Sequence, residues 1–285
     1  MKLSIIIPTY NEQGEIVECL ESLGNQTYSD FEIIVVDDGS TDKTLKRAEN
    51  ISKTVKQTTD NDLRIWVFQQ KHLGPGAARN LGAKHAKGTV LVFVDADMTF
   101  DKFFLDRLVD PILKGRAKGT FSKDEYVSNW DNVWARCWNI NQGWPEKKRH
   151  PKNYPNEDIV FRAILKEEFD KVGGFTPGGY TDDYTLAEKL GYKAKSAKGA
   201  VLYHQNPDSL REVYKQAKWV GKREYKLGKL GIFVGLVRAS LFFSIPVGLF
   251  KALSCLEGGF IFFKIVYDFG ISVGIIEYLF GKKTK

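Results

Sequence analysis

The first part of the chain alternates between short apolar runs and amphipathic segments of helical length. Four apolar runs predict β-strands, at Leu3–Ile7, Glu32–Val36, Leu63–Phe68 and Thr89–Val94. The segments between them predict helices, at Gly14–Leu23, Asp42–Thr54 and Gly76–Lys87. Strands alternating with helices form parallel β-α-β units, and uninterrupted Val/Ile runs are typical of strands covered on both faces. The pattern therefore predicts an α/β fold with a Rossmann-like, mostly parallel sheet and helices on both faces.

Beyond residue 113 this alternation stops. Phe121–Pro155 is rich in Trp, Asn and basic residues, and Asn156–Gly191 predicts a helix, a Gly-rich turn and a second helix. Ser209–Leu230 predicts a basic helix, and Gly231–Phe280 is a long apolar, helical tail. We therefore divide the chain into three predicted parts: 1–113, 114–208 and 209–285.

Polar clusters follow three of the four predicted strands, at Pro8–Glu12, Asp37–Asp42 and Asp95–Asp97. In parallel sheets ligands bind beyond the carboxyl ends of the strands. Asp95 and Asp97 place two carboxylates at the end of a buried strand, where they repel each other. A divalent cation relieves this repulsion, and hard oxygen ligands favour Mg²⁺ or Mn²⁺, which also bridge phosphates. The alternative is that Asp95 caps a turn and Asp97 is solvated.

Two further segments carry candidate binding groups. The acidic pair Asp37-Asp38 is suited to accept hydrogen bonds from a base or a ribose, although the Ser40–Asp42 stretch also fits an ordinary helix N-cap. Gly74–Asn80 is a Gly-rich turn that opens a helix, and Arg79 in it is placed to reach a phosphate. An ordinary turn with a solvated Arg79 is the alternative.

The net charge of +7 is concentrated in one place. Ser209–Leu230 holds seven basic and two acidic residues, so the excess is local, and a general nucleic-acid-binding function is excluded. The basic residues at helical spacing form one stripe: Arg211, Lys215, Lys218, Lys222, Lys226 and Lys229. This stripe predicts a solvated face, a contact to a donor phosphate or a contact to anionic lipid headgroups.

The apolar tail predicts association with a membrane. Gly231–Phe250 carries a single charge, Arg238, and Gly258–Gly281 carries Lys264, Asp268 and Glu277. These charges make it unfavourable for the two segments to span a bilayer completely. We therefore expect helices that lie in the membrane interface or form a shallow hairpin. The alternative is a soluble helical pair that packs or dimerises. Three tryptophans share one predicted helix face and are expected in the core or, near a membrane, along an acceptor groove: Trp130, Trp134 and Trp138.

Several motifs, taken in order, resemble glycosyltransferase family 2. They are Pro8-Thr9-Tyr10-Asn11-Glu12, Val36–Asp42, Ala78-Arg79-Asn80, Val94–Asp97, Phe161-Arg162-Ala163, Phe169–Phe175, Thr181–Leu186 and Lys189–Tyr192. The resemblance covers about residues 3–225. It implies the GT-A fold, a nucleotide-diphospho-sugar donor, Mn²⁺ or Mg²⁺ as cofactor, and inversion at the anomeric carbon.

The resemblance also implies roles for individual residues. Donor contacts would come from Pro8, Thr9, Tyr10, Glu12, Asp37, Asp38, Arg79, Asp95 and Ala96. Asp97 would bind the metal beside Asp95. Asp182-Asp183 matches the family's Glu-Asp motif, with Asp183 as general base; the shorter first side chain leaves the role of Asp182 open, and an acidic helix N-terminus is the alternative.

Two more features extend the resemblance toward the C-terminus. His204 would ligate the metal or contact the diphosphate, or else be a structural histidine. Lys215, Lys218 and Trp219 loosely match the family's Gln/Arg-x-x-Arg-Trp pattern and would contact the acceptor or the diphosphate. The weak match favours transfer of a single sugar over processive synthesis.

The sequence thus predicts an inverting, metal-dependent hexosyltransferase. Its parts would be a nucleotide-sugar-binding half (1–113), an acceptor and catalytic-base half (114–208), and a basic helix with membrane-associated helices (209–285). The expected acceptor is a membrane lipid or lipid-linked glycan at the cytoplasmic face of the cell membrane, with an anionic membrane surface as partner. The alternatives are a polyprenyl-phosphate sugar transferase without a general base, a nucleotidyltransferase, and a membrane-docked nucleotide-binding module without turnover.

Overall fold

The computed structural model describes residues 1–58, 64–177, 182–223 and 225–281. The chain packs into two units. The first is formed by residues 1–125 and 154–203, and the second by residues 126–153 and the chain from 204 onward. The predicted three-part division concerns function and stays a prediction.

The described chain contains eleven strands and eleven helices. The strands are β1 (Leu3–Thr9), β2 (Phe31–Asp37), β3 (Arg64–Gln69), β4 (Val90–Phe93), β5 (Met98–Phe100), β6 (Gly119–Ser122), β7 (Glu125–Val127), β8 (Glu157–Asp158), β9 (Ala163–Leu165), β10 (Ala194–Ala197) and β11 (Leu202–His204). The helices are α1 (Ile16–Gly24), α2 (Thr44–Thr58), α3 (Pro75–His85), α4 (Phe104–Leu113), α5 (Val133–Gln142), α6 (Lys166–Lys171), α7 (Asp182–Leu190), α8 (Leu210–Gly221), α9 (Gly228–Arg238), α10 (Leu241–Ser254) and α11 (Phe260–Leu279).

An eight-stranded sheet in the order β3-β2-β1-β4-β9-β6-β10-β8 forms the centre of the first unit. Strands β3, β2, β1 and β4 are mutually parallel, whereas β9 runs antiparallel to both β4 and β6. The predicted α/β fold with a mostly parallel sheet is therefore confirmed. The predicted third strand is β3, and its expected first residue, Leu63, lies outside the described residues.

Side chains of β1 alternate between two helix-covered layers. Ile5 and Ile7 pack in a cluster with residues of α1 and α4, and Ile6 packs in a second cluster with residues of α3, α6 and α7. All seven residues of β1 and of β2 are buried. Full burial of an Ile or Leu contributes roughly 1.5–3 kcal/mol, so these strands form a rigid frame for the polar residues that follow them.

In the second unit α5, α8, α10 and α11 surround a separate core that includes Cys137, Trp138, Val213, Phe260 and Phe263. Helices α8 and α11 approach closely because glycines line their contact. A Cβ on Gly274 would lie 2.2 Å from the carbonyl oxygen of Lys218. Trp138 belongs to this core, and the partly buried Trp134 packs against it, as expected. The predicted helix face shared by three tryptophans is wrong for Trp130, because α5 begins only at Val133.

The predicted basic helix Ser209–Leu230 is wrong as one continuous helix. Helix α8 ends at Gly221 and α9 begins at Gly228, which has a φ of +53°. A positive φ interrupts a right-handed helix, so the six basic residues do not share one helix face. In the described residues no single helix is long and apolar enough to cross a membrane; α9 and α10 meet that criterion only as a pair, bent by 57°.

Candidate active site

Three strand ends bring their polar residues to one edge of the large sheet. Neighbouring parallel strands β2, β1 and β4 end there, at Asp37, Thr9 and just before Asp95. The backbone N–H of Asp38 donates to the carbonyl of Thr9 at 2.9 Å, which ties the first two ends together. This edge is where the sequence pattern predicts a ligand site.

Asp38 organises the loop between β3 and α3. Its carboxylate accepts hydrogen bonds from the Gln70 amide at 2.6 Å and from the backbone N–H groups of Leu73 and Gly74, both at 2.9 Å. The Nδ1 atom of His72 lies 2.8 Å from its second oxygen. A carboxylate has about four acceptor positions, so a nucleoside contact by Asp38 requires one of these protein groups to move.

Tyr10 and His72 form a stacked aromatic pair beside Asp38. Their ring centroids are 4.0 Å apart, with an interplanar angle of 21°. Tyr10 is exposed and therefore accessible to a planar ligand. The sequence did not indicate His72, because its position beside Tyr10 depends on how the loop folds over the sheet edge.

The other predicted donor contacts differ in burial. Pro8, Thr9, Asp37 and Ala96 are buried, and Glu12 is half-buried. Asp37 accepts from the backbone N–H of Ser40 at 3.1 Å, whereas its Oδ1 and the hydroxyl of Thr9 have no hydrogen-bond partner among the described residues. Asp42 caps α2 by accepting from the N–H of Thr44 at 2.9 Å, as the alternative interpretation of this segment proposed.

The buried guanidinium of Arg79 joins two of the predicted site residues. It donates to Asp95 at 2.7 Å and, through its other terminal nitrogen, to Asp183. Arg162 binds the second oxygen of Asp95 at 3.1 Å. Burial opposes the charge of Arg79, but Asp183 and Asp95 outweigh that effect and raise its pKa above the usual value. Arg162 lies in the motif Phe161-Arg162-Ala163, and its contact with Asp95 is not predicted from the sequence.

Asp182 occupies a different position from Asp183. It is the buried first residue of α7 and accepts the backbone N–H of Gly76 at 2.9 Å. A Cβ on Gly76 would lie 2.4 Å from that carboxylate oxygen, so the small residue at the start of α3 makes room for it. The carboxylate also complements the positive end of α3.

The buried thiol of Cys19 donates to the backbone carbonyl of Asp95 at 3.7 Å. Burial raises the pKa of Cys19 well above its usual value, and Asp97, Asp95 and Glu12 raise it further. Within the described part of the chain, no group of three or more His, Cys, Asp or Glu side chains is arranged to hold a metal ion. Asp97 carries the carboxylate oxygens that Mg²⁺ or Mn²⁺ takes together with substrate phosphates and water, whereas both oxygens of Asp95 are bound to Arg79 and Arg162.

The remaining predicted site residues belong to the second unit. His204 ends β11 and is half-buried, Lys215 is exposed, and Trp219 is half-buried. Lys218 forms an ion pair with Glu277 at 2.7 Å, and Lys222 binds the other oxygen of Glu277 at 2.8 Å. Hydrogen bonds from Lys218 and Lys222 lower the pKa of Glu277 to about 2. Two residues of the predicted basic stripe are therefore engaged within the protein.

The sequence matches known families and proteins. The family model described as "Glycosyl transferase family 2" matches residues 4–178, which ends just before Asp182 and Asp183. The uncharacterized glycosyltransferase EpsJ of Bacillus subtilis is 42% identical over 234 residues, covering 75% of this chain and 64% of that protein. Poly(ribitol-phosphate) β-N-acetylglucosaminyltransferase TarS of Staphylococcus aureus is 39% identical over 232 residues, covering 75% of this chain and 39% of that protein.

Solved structures share the fold. The structure of S. aureus TarS 1–349 with UDP-GlcNAc has a TM-score of 0.57 at 18% identity and covers 99% of this chain and 92% of that chain. The mannosyltransferase PcManGT from Pyrobaculum calidifontis, in complex with GDP-Man and Mn²⁺, has a TM-score of 0.60 at 18% identity, covering 98% of this chain and 87% of that chain. The predicted GT-A fold is thus confirmed.

The chain spans between 14% and 64% of the length of the first three curated relatives it matches. The family match nevertheless extends over more than half of this chain, from β1 to just before α7. Together with the carboxylates and arginines at the sheet edge, it shows that the chain belongs to glycosyltransferase family 2.

Proposed function

We propose that this protein is an inverting glycosyltransferase that moves one sugar from a UDP- or GDP-sugar to a hydroxyl of a membrane lipid or lipid-linked glycan. The observation that carries the proposal is the single guanidinium of Arg79 bound to both Asp95 and Asp183. This contact supports the proposal because it joins Asp95, the first residue of the proposed metal-binding motif, to Asp183, the proposed base, through one side chain. The complexes of related folds with UDP-GlcNAc and with GDP-Man support a nucleotide-sugar donor.

Asp183 is the proposed general base. Arg79 holds one carboxylate oxygen, and 37% of the side chain is exposed, so an acceptor can approach it. The acceptor oxygen forms a bond to the anomeric carbon as its proton passes to Asp183. The bond from that carbon to the diphosphate breaks on the opposite face, which inverts the configuration. The name of TarS specifies a poly(ribitol-phosphate) acceptor, a polymer that offers hydroxyl groups, and this supports a base-assisted reaction.

Asp97 and Asp95 are proposed to hold Mn²⁺ or Mg²⁺ together with the donor. When bound, the ion would neutralise the negative charge that develops on the departing diphosphate. Arg79 and Arg162 hold Asp95 from both of its oxygens and so fix its orientation. Tyr10 is the proposed nucleobase contact, since its exposed ring is stacked on His72. A contribution of His204 to metal binding stays a prediction.

Donor and metal binding are tested by thermal unfolding of the full chain. We expect UDP-GlcNAc or GDP-Man to raise Tm in the presence of MnCl₂ or MgCl₂ and to lose that effect in EDTA, because a ligand that binds only the folded state stabilises it. Asp97→Ala should abolish the metal-dependent part of the donor-induced rise in Tm. An exposed aspartate in the second unit, Asp131, provides the matched control as Asp131→Ala. No shift with either donor contradicts the donor site.

The base is tested by release of the nucleoside diphosphate when hydroxyl-bearing lipid extract is added. We expect Asp183→Asn to retain the donor-induced Tm shift while turnover falls by about 10²–10⁴-fold. Unchanged turnover with Asp183→Asn contradicts the base. Turnover retained only with a polyprenyl phosphate identifies the base-free alternative, and donor binding without turnover by the unmodified chain identifies a binding module.

A further inference from the structure

Helix α10 has its hydrophobic pattern reversed. The three residues that it buries are small: Ser244, Gly248 and Ala252, spaced four apart. Its largest apolar side chains point outward, with Phe242, Phe250 and Leu253 exposed at 81%, 72% and 77%. In water-soluble proteins a surface helix buries its large apolar residues. Small residues at the helix contact and large ones facing outward are typical of helices surrounded by lipid.

Helix α9 extends the same surface. All residues of α9 are described, and none of them is buried. The exposed apolar residues of α9, α10 and the residues next to them form a set that we call the apolar face: Leu227, Leu230, Phe233, Val234, Val237, Leu241, Phe242, Phe243, Ile245, Val247, Leu249, Phe250, Leu253 and Leu256. Such a concentration of exposed apolar side chains in one stretch of sequence marks an interaction site more often than an ordinary soluble surface.

Polar groups near the apolar face are turned inward. The hydroxyl of Ser244, which is buried in α10, donates to the buried Asp268 of α11 at 2.6 Å. The ammonium of Lys264 donates to the other oxygen of Asp268 at 2.7 Å. Lys264 and Asp268, four residues apart on α11, thus form an ion pair. Polar groups paired on the protein side and apolar groups on the outer side suit an apolar surrounding medium.

The charges within the segment that carries the apolar face are all of one sign, although Glu257, which follows it and is bound to Arg136, is acidic. The segment from Tyr225 to Leu256 contains four basic residues and no acidic residue. Lys226, Lys229 and Arg238 are exposed. A dimer formed through the apolar face would bring these cations close to each other, and the segment contains no carboxylate that could neutralise them. An anionic lipid surface complements both the cations and the apolar residues.

The lengths of α9 and α10 limit how deeply these helices can enter a bilayer. Helix α10 has fourteen residues, which corresponds to about 21 Å, less than the roughly 30 Å of a hydrocarbon core. The break of 57° between α9 and α10 directs the two helices apart. These dimensions fit insertion into one leaflet, with the large apolar residues among acyl chains.

We propose that α9 and α10 insert as a bent pair into one leaflet of a phospholipid bilayer that contains anionic lipids. Phe242, Phe250 and Leu253 contact acyl chains, and Lys226, Lys229 and Arg238 lie at the phosphate headgroups. The proposal concerns the second unit and does not depend on the donor or the acceptor. That the leaflet is the cytoplasmic one stays a prediction from the sequence.

The first test is flotation of the full chain with vesicles. We expect the protein to float with vesicles of phosphatidylcholine and phosphatidylglycerol, and less with phosphatidylcholine alone or at high salt. The double variant Phe242→Ser/Phe250→Ser should lower partitioning by more than about tenfold. Phe103→Ser/Leu113→Ser is the matched control, since both residues are exposed apolar residues of the first unit. Absence of flotation, or equal loss in both double variants, overturns the proposal.

The second test uses a native thiol at the end of α10. Cys255 is exposed, whereas Cys19 and Cys137 are buried, so a polarity-sensitive thiol dye reports on Cys255. We expect its emission to shift to the blue, and to resist an aqueous quencher, when the anionic vesicles are added. Cys255→Ser removes the signal. A wild-type dimer without lipid that Phe242→Ser/Phe250→Ser dissociates assigns the apolar face to a second copy and overturns the proposal.

Discussion

Arg79 connects two carboxylates that have different proposed tasks, and its planar guanidinium makes this possible. One terminal nitrogen donates to Asp95 and the other to Asp183. A lysine carries the same charge at a single nitrogen and cannot reproduce two donors in a fixed fork. The orientation of the base is therefore expected to depend on the shape of this side chain and not only on its charge.

We predict that Arg79→Lys lowers kcat by roughly 10–100-fold, which corresponds to about 1.4–2.7 kcal/mol of lost transition-state stabilisation. Steady-state kinetics with a saturating donor measures the effect. Arg116→Lys is the control, because Arg116 is an exposed arginine that binds the single carboxylate of Asp110. Equal kcat values for wild type and Arg79→Lys would show that charge alone suffices.

Gly76 is constrained by the side chain that faces it. We predict that Gly76→Ala destabilises the fold by about 1–3 kcal/mol, because the new methyl group would overlap the carboxylate of Asp182. Denaturant unfolding measures the change. Gly24→Ala, with nothing within 4 Å of its added Cβ, is the control. The double variant Gly76→Ala/Asp182→Ala should show a coupling energy, and strict additivity would argue against a direct overlap.

Helices α8 and α11 combine a close glycine contact with an ion-pair group. Gly274 permits the two helix backbones to approach closely. Glu277 of α11 then binds two lysines one helical turn apart: Lys218 in α8 and Lys222 directly after it. The pKa of Glu277 is lowered to about 2 in the folded chain, from an ordinary value of 4.5. Its stabilising contribution is therefore complete above pH 4.5 and is lost as the pH falls toward 2.

We predict that Glu277→Gln lowers Tm at pH 7 and that the difference from wild type shrinks as the pH falls below about 4.5. Thermal unfolding at a series of pH values measures this. Glu212→Gln, which removes the exposed partner of Lys215, should produce little change at any pH. A difference that stays constant down to pH 2 would mean that Glu277 acts through packing.

The same elements show how far sequence reasoning extends. Strands β1, β2 and β4 and the meeting of their polar ends follow from apolar periodicity and from the parallel arrangement. Arg79 binds Asp183, which lies about a hundred positions further along the chain. No local sequence pattern encodes this contact or its combination with Asp95. His72 and Arg162 were missed for the same reason. The break before α9 was missed because the positive φ of Gly228 depends on local backbone geometry rather than on hydrophobic spacing.

For the molecule as a whole, the two units differ in what lies at their surfaces. The first unit buries the large side chains of its central strands, and at the sheet edge it leaves the carboxylates of Asp95 and Asp183 partly exposed. The second unit buries Trp138, Phe260 and Phe263 yet exposes the apolar face. The general rule that large apolar side chains are buried therefore holds for the central strands of the first unit and fails for α9 and α10 of the second.

The interleaving of the two units along the chain also affects how the protein is made. Helix α5 leaves the ribosome long before Phe260 and Phe263, its core partners. At a synthesis rate of about 5–20 residues per second, Trp138 waits roughly 6–25 seconds for the residues that cover it. During that interval its apolar surface is available to chaperones and to aggregation. Completion of the second unit thus waits until α11 has emerged, whereas residues 1–125 and 154–203 of the first unit have emerged by residue 203.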